Sequence, residues 1–350
     1  MSEQQKKRNK GKRIALIVIC ILLALILAAI AAAAIYIDYL YNRMEFVGQD
    51  SSTVSPEIAS SIAQGEHVEI PSDNTDLVID QEDVTFQPDD TDHEGQGDHI
   101  VNIMLVGQDA REGEGTQRSD SMILVTFNTS KQIITLTSFM RDQYVQIPGY
   151  GATKLCHAYQ YGGMSLLNQT IYNHFGVEID GNLEVNFTGF ENIIDLLGGV
   201  NIELTGKEAK YLQEKGWDVH KGMNRLPGDA ALMYARLRSI DTDYKRAERQ
   251  RNVMMSLIEE YKNQSYVKMV SLLNEILPMV KTNMTKAEIA NYALDLFPML
   301  SSAEIQTNRI PVEGTFDPGY VRVYEGLDLW CQLNIDFEAN REFLNEIFAE

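Results

Sequence analysis

The 350-residue sequence predicts an α/β fold, a three-layer α/β/α sandwich with a central mixed sheet, preceded by one N-terminal transmembrane helix. Three observations predict it. Short apolar runs rich in β-branched residues alternate with helical patterns after residue 99. Glycines end two of these helical patterns, Gly176 the first and the pair Gly198–Gly199 the second, and a single long uncharged stretch lies near the N-terminus.

The uncharged stretch covers residues 14–37, which are 24 consecutive positions without a charged side chain. At about 1.5 Å rise per residue, a helix of this length covers the roughly 30 Å hydrocarbon core of a bilayer. Six Lys or Arg precede it in residues 1–13, against one Glu. The positive-inside rule therefore predicts a cytoplasmic tail over residues 1–13 and a type II, single-pass protein whose C-terminal domain is extracellular. A cleaved signal peptide is the alternative, but the apolar stretch is longer than the usual h-region.

An acidic segment follows the apolar stretch. Residues 45–98 contain 15 Asp or Glu and no Lys or Arg, which predicts an extended stalk or linker over residues 38–98. A calcium loop is the alternative, but the Asp and Gly residues near position 90 lack the spacing it needs. Residues 99–350 contain no boundary rich in Pro, Gly and Ser, so they are predicted to form one extracellular domain.

The first half of that domain alternates strands with helices. Strands are predicted at residues 101–107, 121–127, 133–138, 183–187 and 200–204. One helix should run over residues 162–175 and end at Gly176, and another should begin at a Thr188 cap and end at Gly198.

The second half is mostly helical by pattern. Pro227 opens a helix that continues through Tyr234, since proline at a first helical turn sacrifices no hydrogen bond. Further helices are predicted at about residues 244–262, 266–280, 286–300 and 338–348, with extended segments at 305–312 and 320–324.

Two carboxylates are candidates for the chemistry. Asp109 directly follows the first strand of the domain and Asp120 directly precedes the second, so both can lie at one end of the sheet. Together with nearby arginines they could hold Mg²⁺ (or Mn²⁺) on a pyrophosphate, the carboxylates binding the metal and the guanidiniums binding the oxygens. Simple pairing with Arg111 and Arg118 at the loop ends is equally supported by the spacing.

The most informative cluster lies at residues 236–251, where five Arg and one Lys fall within 16 residues of a protein of net charge −20. Arginine presents a planar fork of donors that matches phosphate oxygens, so the cluster predicts a phosphorylated ligand. Arg246, Arg249 and Gln250 share one face of the predicted helix, and Arg236 and Arg238 point to one side if that segment is extended. A solvated basic face is the usual alternative, but it gives no reason for the preference for Arg over Lys.

Other chemistries are excluded by composition and spacing. The domain is acidic and lacks a basic groove with interleaved aromatic residues, which excludes nucleic acid as a partner. The histidines and cysteines lack the spacing of zinc ligands, and there is no nucleophile elbow or Walker loop. Cys156 and Cys331 could form a bridge outside the cell or remain buried thiols.

In order along the chain, eight motifs resemble the LytR-CpsA-Psr family of cell-envelope glycopolymer transferases. They lie between about residues 102 and 251, at positions 102–109, 118–122, 140–142, 154–159 with 162–163, 185–190, 195–200, 234–238 and 243–250. The sequence departs from the family pattern at Gln108, Met140 and Cys156, none of which is charged. The anchor, stalk and exported domain also match the usual layout of the family.

The resemblance implies a phosphotransferase that attaches a glycopolymer (teichoic acid, capsule or another wall polysaccharide) from a polyprenyl pyrophosphate carrier to peptidoglycan in a Gram-positive type of envelope. It implies an apolar pocket for the lipid, although Phe187, Phe190, Ile193, Ile194 and Leu197 are more often plain core at their spacing. A non-catalytic sensor or scaffold of lipid-linked precursors and a pyrophosphate hydrolase are the alternatives. Neither the polymer nor the choice between transfer and hydrolysis can be read from the residues.

The resemblance also assigns roles by position. Asp109, Asp120 and Arg246 are the catalytic candidates, and the two aspartates are the metal ligands and the candidates to assist deprotonation of the acceptor. The pyrophosphate would be bound by Arg118, Arg141, Lys154, Arg236, Arg238, Arg246 and Gln250. Asp243 and Arg249 are supporting members of the site.

Overall fold

The computed structural model describes residues 35–36, 38–46, 77–80, 96–108, 119–300, 302–324 and 327–349. The predicted cytoplasmic tail, nearly all of the apolar stretch and most of the acidic stalk lie outside these residues. Within the described part of the chain, no helix combines the length and the apolar character that crossing a membrane requires.

The described residues form strands and helices in alternation. The strands are β1 (Glu45–Phe46), β2 (Leu77–Asp80), β3 (Ile100–Gln108), β4 (Ser119–Asn128), β5 (Ile133–Phe139), β6 (Tyr144–Ile147), β7 (Gly151–Lys154), β8 (Gly181–Asn186), β9 (Val200–Leu204), β10 (Gly222–Leu226), β11 (Lys281–Thr282), β12 (Glu304–Ile310), β13 (Asp317–Tyr324) and β14 (Leu327–Leu333). The helices are α1 (Leu155–Phe175), α2 (Phe187–Leu196), α3 (Gly206–Glu214), α4 (Gly228–Arg236), α5 (Asp243–Lys262), α6 (Tyr266–Ile276), α7 (Lys286–Leu300) and α8 (Phe337–Phe348). A 3₁₀ turn, Leu277–Met279, follows α6.

The centre of the domain is a seven-stranded mixed sheet in the order β1-β11-β8-β3-β4-β5-β12. Strands β3, β4 and β5 are antiparallel neighbours, whereas β8 is parallel to β3 and β12 is parallel to β5. The predicted mixed sheet is therefore confirmed. Its β3 and β8 ends meet at Gln108 and Asn186, which are register partners.

Helices cover both faces of this sheet because side chains alternate along each strand. Met122 and Leu124 of β4 pack into the core that α1 and α8 cover. Ile123 and Val125, one position along, pack into the core that α5 and α7 cover. The flanking helices predicted from the sequence are thus present on both sides.

A second core lies beside the sheet, between the β9–β10 hairpin and helices α2, α3, α4 and α5. Helices α2 and α4 approach closely here, since a Cβ atom on Gly228 would lie 2.2 Å from the carbonyl oxygen of Glu191. Only glycine fits at that position. This layer forms one wall of the cavity described below.

One predicted helix was incomplete and two predicted boundaries were wrong. Helix α1 consists of two helical segments separated by a kink at Gly162 and Gly163, whose backbone angles are non-helical. The predicted helix over residues 162–175 corresponds to the second segment, and the first segment, which begins at Leu155, was not predicted. Helix α2 begins directly after β8, so its cap is Asn186, whose Oδ1 accepts from Gly189 N–H at 2.8 Å, and not Thr188. Helix α6 ends at Ile276 because Pro278 has no N–H to continue it.

Candidate functional site

Charged side chains from four segments meet at the end of the sheet where β3 stops and β4 begins. Asp120 lies on β4, Arg141 follows β5, Arg236 and Arg238 stand at the end of α4, and the first turns of α5 contribute Asp243, Arg246 and Gln250. Asp109 and Arg118 lie outside the described residues. Strand β3 ends at Gln108 and β4 begins at its register partner Ser119, next to Asp120.

A line of ion pairs joins Asp120 to the start of α1. Arg141 Nη1 donates to Asp120 Oδ1 at 2.6 Å, and Arg141 Nε lies 3.5 Å from Asp142 Oδ2. Lys154 Nζ lies 3.1 Å from Asp142 Oδ1. Asp142 and Lys154 are both buried, so this pair fixes the position of Arg141 rather than facing solvent.

A second group of ion pairs surrounds Asp243. Arg246 Nη2 donates to Asp243 Oδ2 at 3.0 Å, while Arg238 Nε lies 3.7 Å from Asp243 Oδ1. Arg238 Nη2 is also 3.6 Å from Asp120 Oδ2. Both Arg238 separations are too long for hydrogen bonds. The side chain of Arg238 is 44% exposed, so its donors can turn to an incoming anion.

The electrostatics of the site follow from its burial. Burial raises the pKa of Asp243 to about 6, the charges of Asp142 and Asp120 act in the same direction, and Arg141 and Arg238 oppose them. Three carboxylates therefore repel one another here, despite the arginines. A cation or a proton at this place would lower that repulsion.

Among the described residues, Asp120 is the carboxylate with an oxygen available for a Mg²⁺ ion. Asp120 Oδ1 accepts from Arg141, but Oδ2 only faces Arg238 at 3.6 Å, which leaves that oxygen able to bind a metal. Within the described residues, no three His, Cys, Asp or Glu side chains are grouped so as to hold a metal ion by themselves. Mg²⁺ commonly takes only one or two carboxylates and completes its shell with water and phosphate oxygens.

An apolar cavity of about 370 Å³ opens from this charged cluster. It lies between strands β3, β4 and β8 on one side and helices α2, α4 and α5 on the other. Its charged and polar lining includes Asp120, Arg236, Arg238, Arg246 and Gln250, and its apolar lining includes Leu105, Val185, Phe187, Phe190, Ile193, Leu232, Met254, Leu257 and Val280. The volume is in the range of small-molecule sites, about 300–1,000 Å³.

The apolar residues of the α2 region contribute to both this cavity and the second core. Phe187, Phe190 and Ile193 line the cavity, and Phe190 and Ile193 also pack against the second core. Ile194 is fully buried in that core and Leu197 packs against it. Arg236 connects the two parts of the cavity, since its Cζ atom lies 4.2 Å from the centre of the Phe187 ring. A guanidinium over an aromatic face marks the border between charged and apolar lining.

Arg249 does not line this cavity. Its Nε donates to Glu208 at 2.6 Å, its Nη1 donates to the carbonyl oxygen of Leu237 at 2.8 Å, and Asp241 pairs with its Nη2. Arg246 and Gln250 differ by about 40° around the helix axis, whereas Arg249 lies about 100° from Gln250 and so reaches α3 instead. The face predicted for all three residues is shared by only two of them.

Asp142 lies in the motif at residues 140–142 but was not among the predicted site residues. It contacts Arg141 and Lys154, both of which were predicted. Its position directly after Arg141 at the end of a strand was the available signal. Nearby, Cys156 and Cys331 are buried free thiols, and burial raises the pKa of Cys156 to about 11, so it is not an activated nucleophile.

Comparison with known proteins gives one family. The sequence model of the LytR_cpsA_psr family matches residues 51–333. The chain is 34% identical over 216 residues to "Polyisoprenyl-teichoic acid--peptidoglycan teichoic acid transferase TagT" of Bacillus subtilis (strain 168), a match over 59% of this chain and 66% of the relative. It is 31% identical over 255 residues to "Regulatory protein MsrR" of Staphylococcus aureus (strain COL), over 72% of this chain and 76% of the relative.

Solved structures share the fold. A structure described as "TagT bound to LIIa-WTA" superposes with a TM-score of 0.56 at 26% identity, over 81% of this chain and 98% of that one. Another is described as "LytR-CPS2A-psr family protein YwtF (TagT) with bound octaprenyl pyrophosphate lipid", with a TM-score of 0.53 at 25% identity, over 73% and 91% of the two chains. The family model covers more than half of the sequence. This chain therefore belongs to the LytR_cpsA_psr family, as its motifs predicted.

Proposed function

We propose that this protein is a phosphotransferase of cell wall assembly that attaches a glycopolymer from a polyprenyl pyrophosphate carrier to peptidoglycan. The observation that carries the proposal is the cavity, which is apolar inside and lined by Arg236, Arg238, Arg246 and Asp120 at its charged end. A lipid chain joined to a pyrophosphate has the same division between apolar and anionic parts. The relatives named as transferases, and the TagT structure with a pyrophosphate lipid, support this choice.

In the proposed reaction, the pyrophosphate lies across the arginines. Its oxygens would be bound directly by Arg141, Arg236, Arg238, Arg246 and Gln250, and by Arg118, which lies outside the described residues. The buried Lys154 would act indirectly, because it pairs with Asp142, which contacts Arg141. A hydroxyl of a peptidoglycan muramic acid attacks the phosphorus next to the sugar. The phosphoanhydride bond breaks, a phosphate ester forms, and polyprenyl phosphate leaves.

The carboxylates have two proposed tasks. Asp120 and Asp109 would hold Mg²⁺ (or Mn²⁺), which neutralises charge on the pyrophosphate when it is bound. An aspartate of the cluster would also accept the proton of the attacking hydroxyl. Asp120 and Asp109 are the first candidates, and Asp243 joins them because its pKa near 6 is closer to the working pH than that of an ordinary aspartate.

The location of the protein belongs to the same proposal. Residues 14–37 would anchor the chain in the cell membrane, with Ile35 and Tyr36 at the outer end of the anchor, and residues 1–13 would remain in the cytoplasm. Residues 38–98 would connect the anchor to the extracellular domain, with which β1 and β2 of this stretch pair. This places the site on the side of the membrane where peptidoglycan lies.

The test is transfer of a radiolabelled polyprenyl pyrophosphate-linked saccharide onto peptidoglycan oligomers by the full chain in detergent, with Mg²⁺ or with EDTA. We expect metal-dependent label in the peptidoglycan, and loss of at least 100-fold in rate for Arg246→Ala and for Asp120→Ala. Lys245→Ala is the matched control, because Lys245 is exposed on the same helix turn and pairs with Glu248.

Two results would contradict the transferase. Label released as free saccharide would indicate a hydrolase that uses water as its acceptor. Tight binding of the donor without turnover would indicate the second candidate, a sensor or scaffold of lipid-linked precursors, for which the name of the relative "Regulatory protein MsrR" is the specific support.

A further inference from the structure

The described residues 35–36 and 38–46, here named the juxtamembrane segment, are fixed to the domain by side-chain contacts. Asn274 of α6 donates to the hydroxyl oxygen of Tyr36 at 2.7 Å, and Lys286 of α7 pairs with Asp38. Lys286 Nζ also lies 4.9 Å from the centre of the Tyr41 ring. The segment ends as strand β1, which pairs in parallel with β11 at the edge of the sheet.

Three large apolar or aromatic side chains of this segment are exposed, beside the exposed polar and charged side chains of Asp38, Asn42, Arg43 and Glu45. Ile35 is 71% exposed, Tyr39 51% and Phe46 47%, and these are three of the four exposed large apolar side chains in the described part of the chain. Arg43 Cζ lies 5.8 Å from the centre of the Tyr39 ring, so a basic group stands beside the aromatic one. Single exposed apolar residues are ordinary on a protein surface, but such a concentration in one segment is not.

The chain before this segment indicates what covers its face. Residues 14–34 contain no charged side chain and directly precede Ile35. Tyrosine and basic side chains beside an apolar span are typical of the layer where lipid headgroups meet hydrocarbon, because each combines an apolar body with a polar tip.

The segment also adjoins the cavity. Glu45 N–H donates to the carbonyl oxygen of Val280 at 3.4 Å, and Val280 belongs to the apolar lining. The juxtamembrane segment is therefore hydrogen-bonded directly to a residue of the cavity wall.

We propose that the exposed face of the juxtamembrane segment, with the neighbouring turn of α6, rests in the headgroup layer of the lipid bilayer and holds the apolar cavity beside the membrane surface. A lipid chain can then pass from the bilayer into the cavity without crossing bulk water. The inference goes beyond the proposed transfer reaction and rests only on the proposed anchor. An anchored domain on a free tether would not need this contact.

The experiment places a tryptophan at one of three positions in the full chain, reconstituted in vesicles of phosphatidylcholine and phosphatidylglycerol with brominated or plain acyl chains. Phe46→Trp probes the segment itself. Ser271→Trp probes α6 one turn before Asn274, at an exposed position far in sequence from the anchor. Thr307→Trp is the matched control, exposed on β12 at the opposite edge of the sheet, six strand spacings or about 29 Å away.

We expect bromine to quench the added emission, relative to the parent chain, at positions 46 and 271 and to leave position 307 unchanged. Vesicle flotation and the melting temperature are recorded for each variant, and Glu275→Trp replaces Ser271→Trp if the latter fails to fold. If chains that float with the vesicles show no quenching at positions 46 and 271, the proposed contact with the headgroup layer is wrong, while the proposed anchor still stands. Equal quenching at all three positions would indicate unspecific adsorption and also overturn it.

Two further outcomes are informative. A chain that does not float refutes the anchor and the seating together. Cross-linking of two chains through position 271, without quenching, would assign the face to a second copy and not to lipid. The measurement does not use the transfer reaction, so failure of the proposed function would leave its result unaffected.

Discussion

At the residue scale, Arg246 and Arg249 lie on the same helix, α5, but have different surroundings and different proposed roles. Both are almost fully buried and both are paired with acidic side chains. Arg246 lines the cavity beside Gln250, and its partner Asp243 is itself part of the charged cluster. Arg249 instead joins α5 to α3 and to the chain after α4, where Leu237 accepts its hydrogen bond. It therefore holds the backbone between Arg236 and Arg238 in place and does not line the cavity.

We predict that Arg249→Ala lowers the free energy of unfolding by about 3–5 kcal/mol, because it leaves Glu208 buried without its cation. Denaturant unfolding of the chain in detergent measures the change. The double variant Arg249→Met with Glu208→Leu removes this ion pair and should recover part of the loss, because Glu208 also accepts hydrogen bonds from Thr205 at the start of α3. A decrease below about 1 kcal/mol in Arg249→Ala would contradict the role assigned to this ion pair.

Asp243 leads to a prediction about pH. Its pKa is about 6 in the folded chain against an ordinary value of 3.8, so the folded state binds the proton more tightly than the unfolded state. The contribution of Asp243 to stability is therefore most favourable at low pH and declines as the pH rises between about 4 and 6.

Asp243→Asn removes this titration. We expect the stability of the variant relative to the parent chain to increase by on the order of 2 kcal/mol between pH 4 and pH 7. Thermal unfolding of both chains across that range measures it. The control is Asp229→Asn, on the first turn of α4 and outside the charged cluster. A difference that is constant with pH would refute the raised pKa.

At the element scale, helix α2 presents neighbouring residues to different surroundings. Ile193 faces the cavity, and Ile194, about 100° further around the helix, is fully buried in the second core. The approach of α4 at Gly228 holds α2 in this orientation. The same apolar periodicity thus serves both core packing and a ligand site, and the pattern alone does not separate them.

These two residues form a matched pair for testing the cavity. We predict that Ile194→Ala lowers stability by about 2–5 kcal/mol, because it empties a closely packed core. Ile193→Ala should lower stability by less than about 1.5 kcal/mol and weaken binding of a polyprenyl pyrophosphate. Melting temperature and equilibrium binding are measured on both. Equal loss of stability in the two variants, with lipid affinity unchanged in Ile193→Ala, would show that the cavity is plain core.

At the scale of the whole molecule, the cavity exists because the sheet and three helices do not close completely against one another. Its apolar lining comes from β3, β4, β8, α2, α4 and α5 and from Val280. The charged cluster lies at one end of it, and β1 with the juxtamembrane segment lies near Val280. The domain therefore brings the anionic and apolar requirements of one ligand together with the segment nearest the proposed anchor.

We predict that the affinity of the protein for a pyrophosphate increases with the length of the attached isoprenoid, from inorganic pyrophosphate through geranyl to farnesyl pyrophosphate. The increase should continue until the cavity of about 370 Å³ is filled. Each buried methylene contributes about 0.8 kcal/mol, so each isoprene unit should raise affinity by about tenfold or more. Competition binding against a labelled donor measures the series. Leu232→Trp places a larger side chain of α4 in the cavity. It should abolish the increase of affinity with lipid length and leave the affinity for inorganic pyrophosphate unchanged. A flat series in the parent chain would exclude the cavity as the lipid site.

Much of the fold could be predicted from the sequence because its signals are local. The β3, β4 and β5 strands and the α4, α5, α7 and α8 helices follow from alternation, from helical periodicity and from Pro and Gly at their ends. The β6–β7 hairpin, α3 and β10 were not predicted. Strand β6 is apolar but has only four residues, so its alternation is too short to be decisive. Helix α3 had a local signal that the prediction did not use, the capping box formed by Thr205 and Glu208.

The sequence by itself determined that the domain is α/β and that the chain carries the motifs of its family, and its clustered arginines predicted an anion site. The tertiary structure alone decided which arginines share the cavity, that Asp142 connects Arg141 to Lys154, and that Phe187 lines a cavity while Ile194 is core. The reason is physical. Periodicity records which face of an element is apolar, but whether two faces close or leave a space depends on packing between residues that lie far apart along the chain.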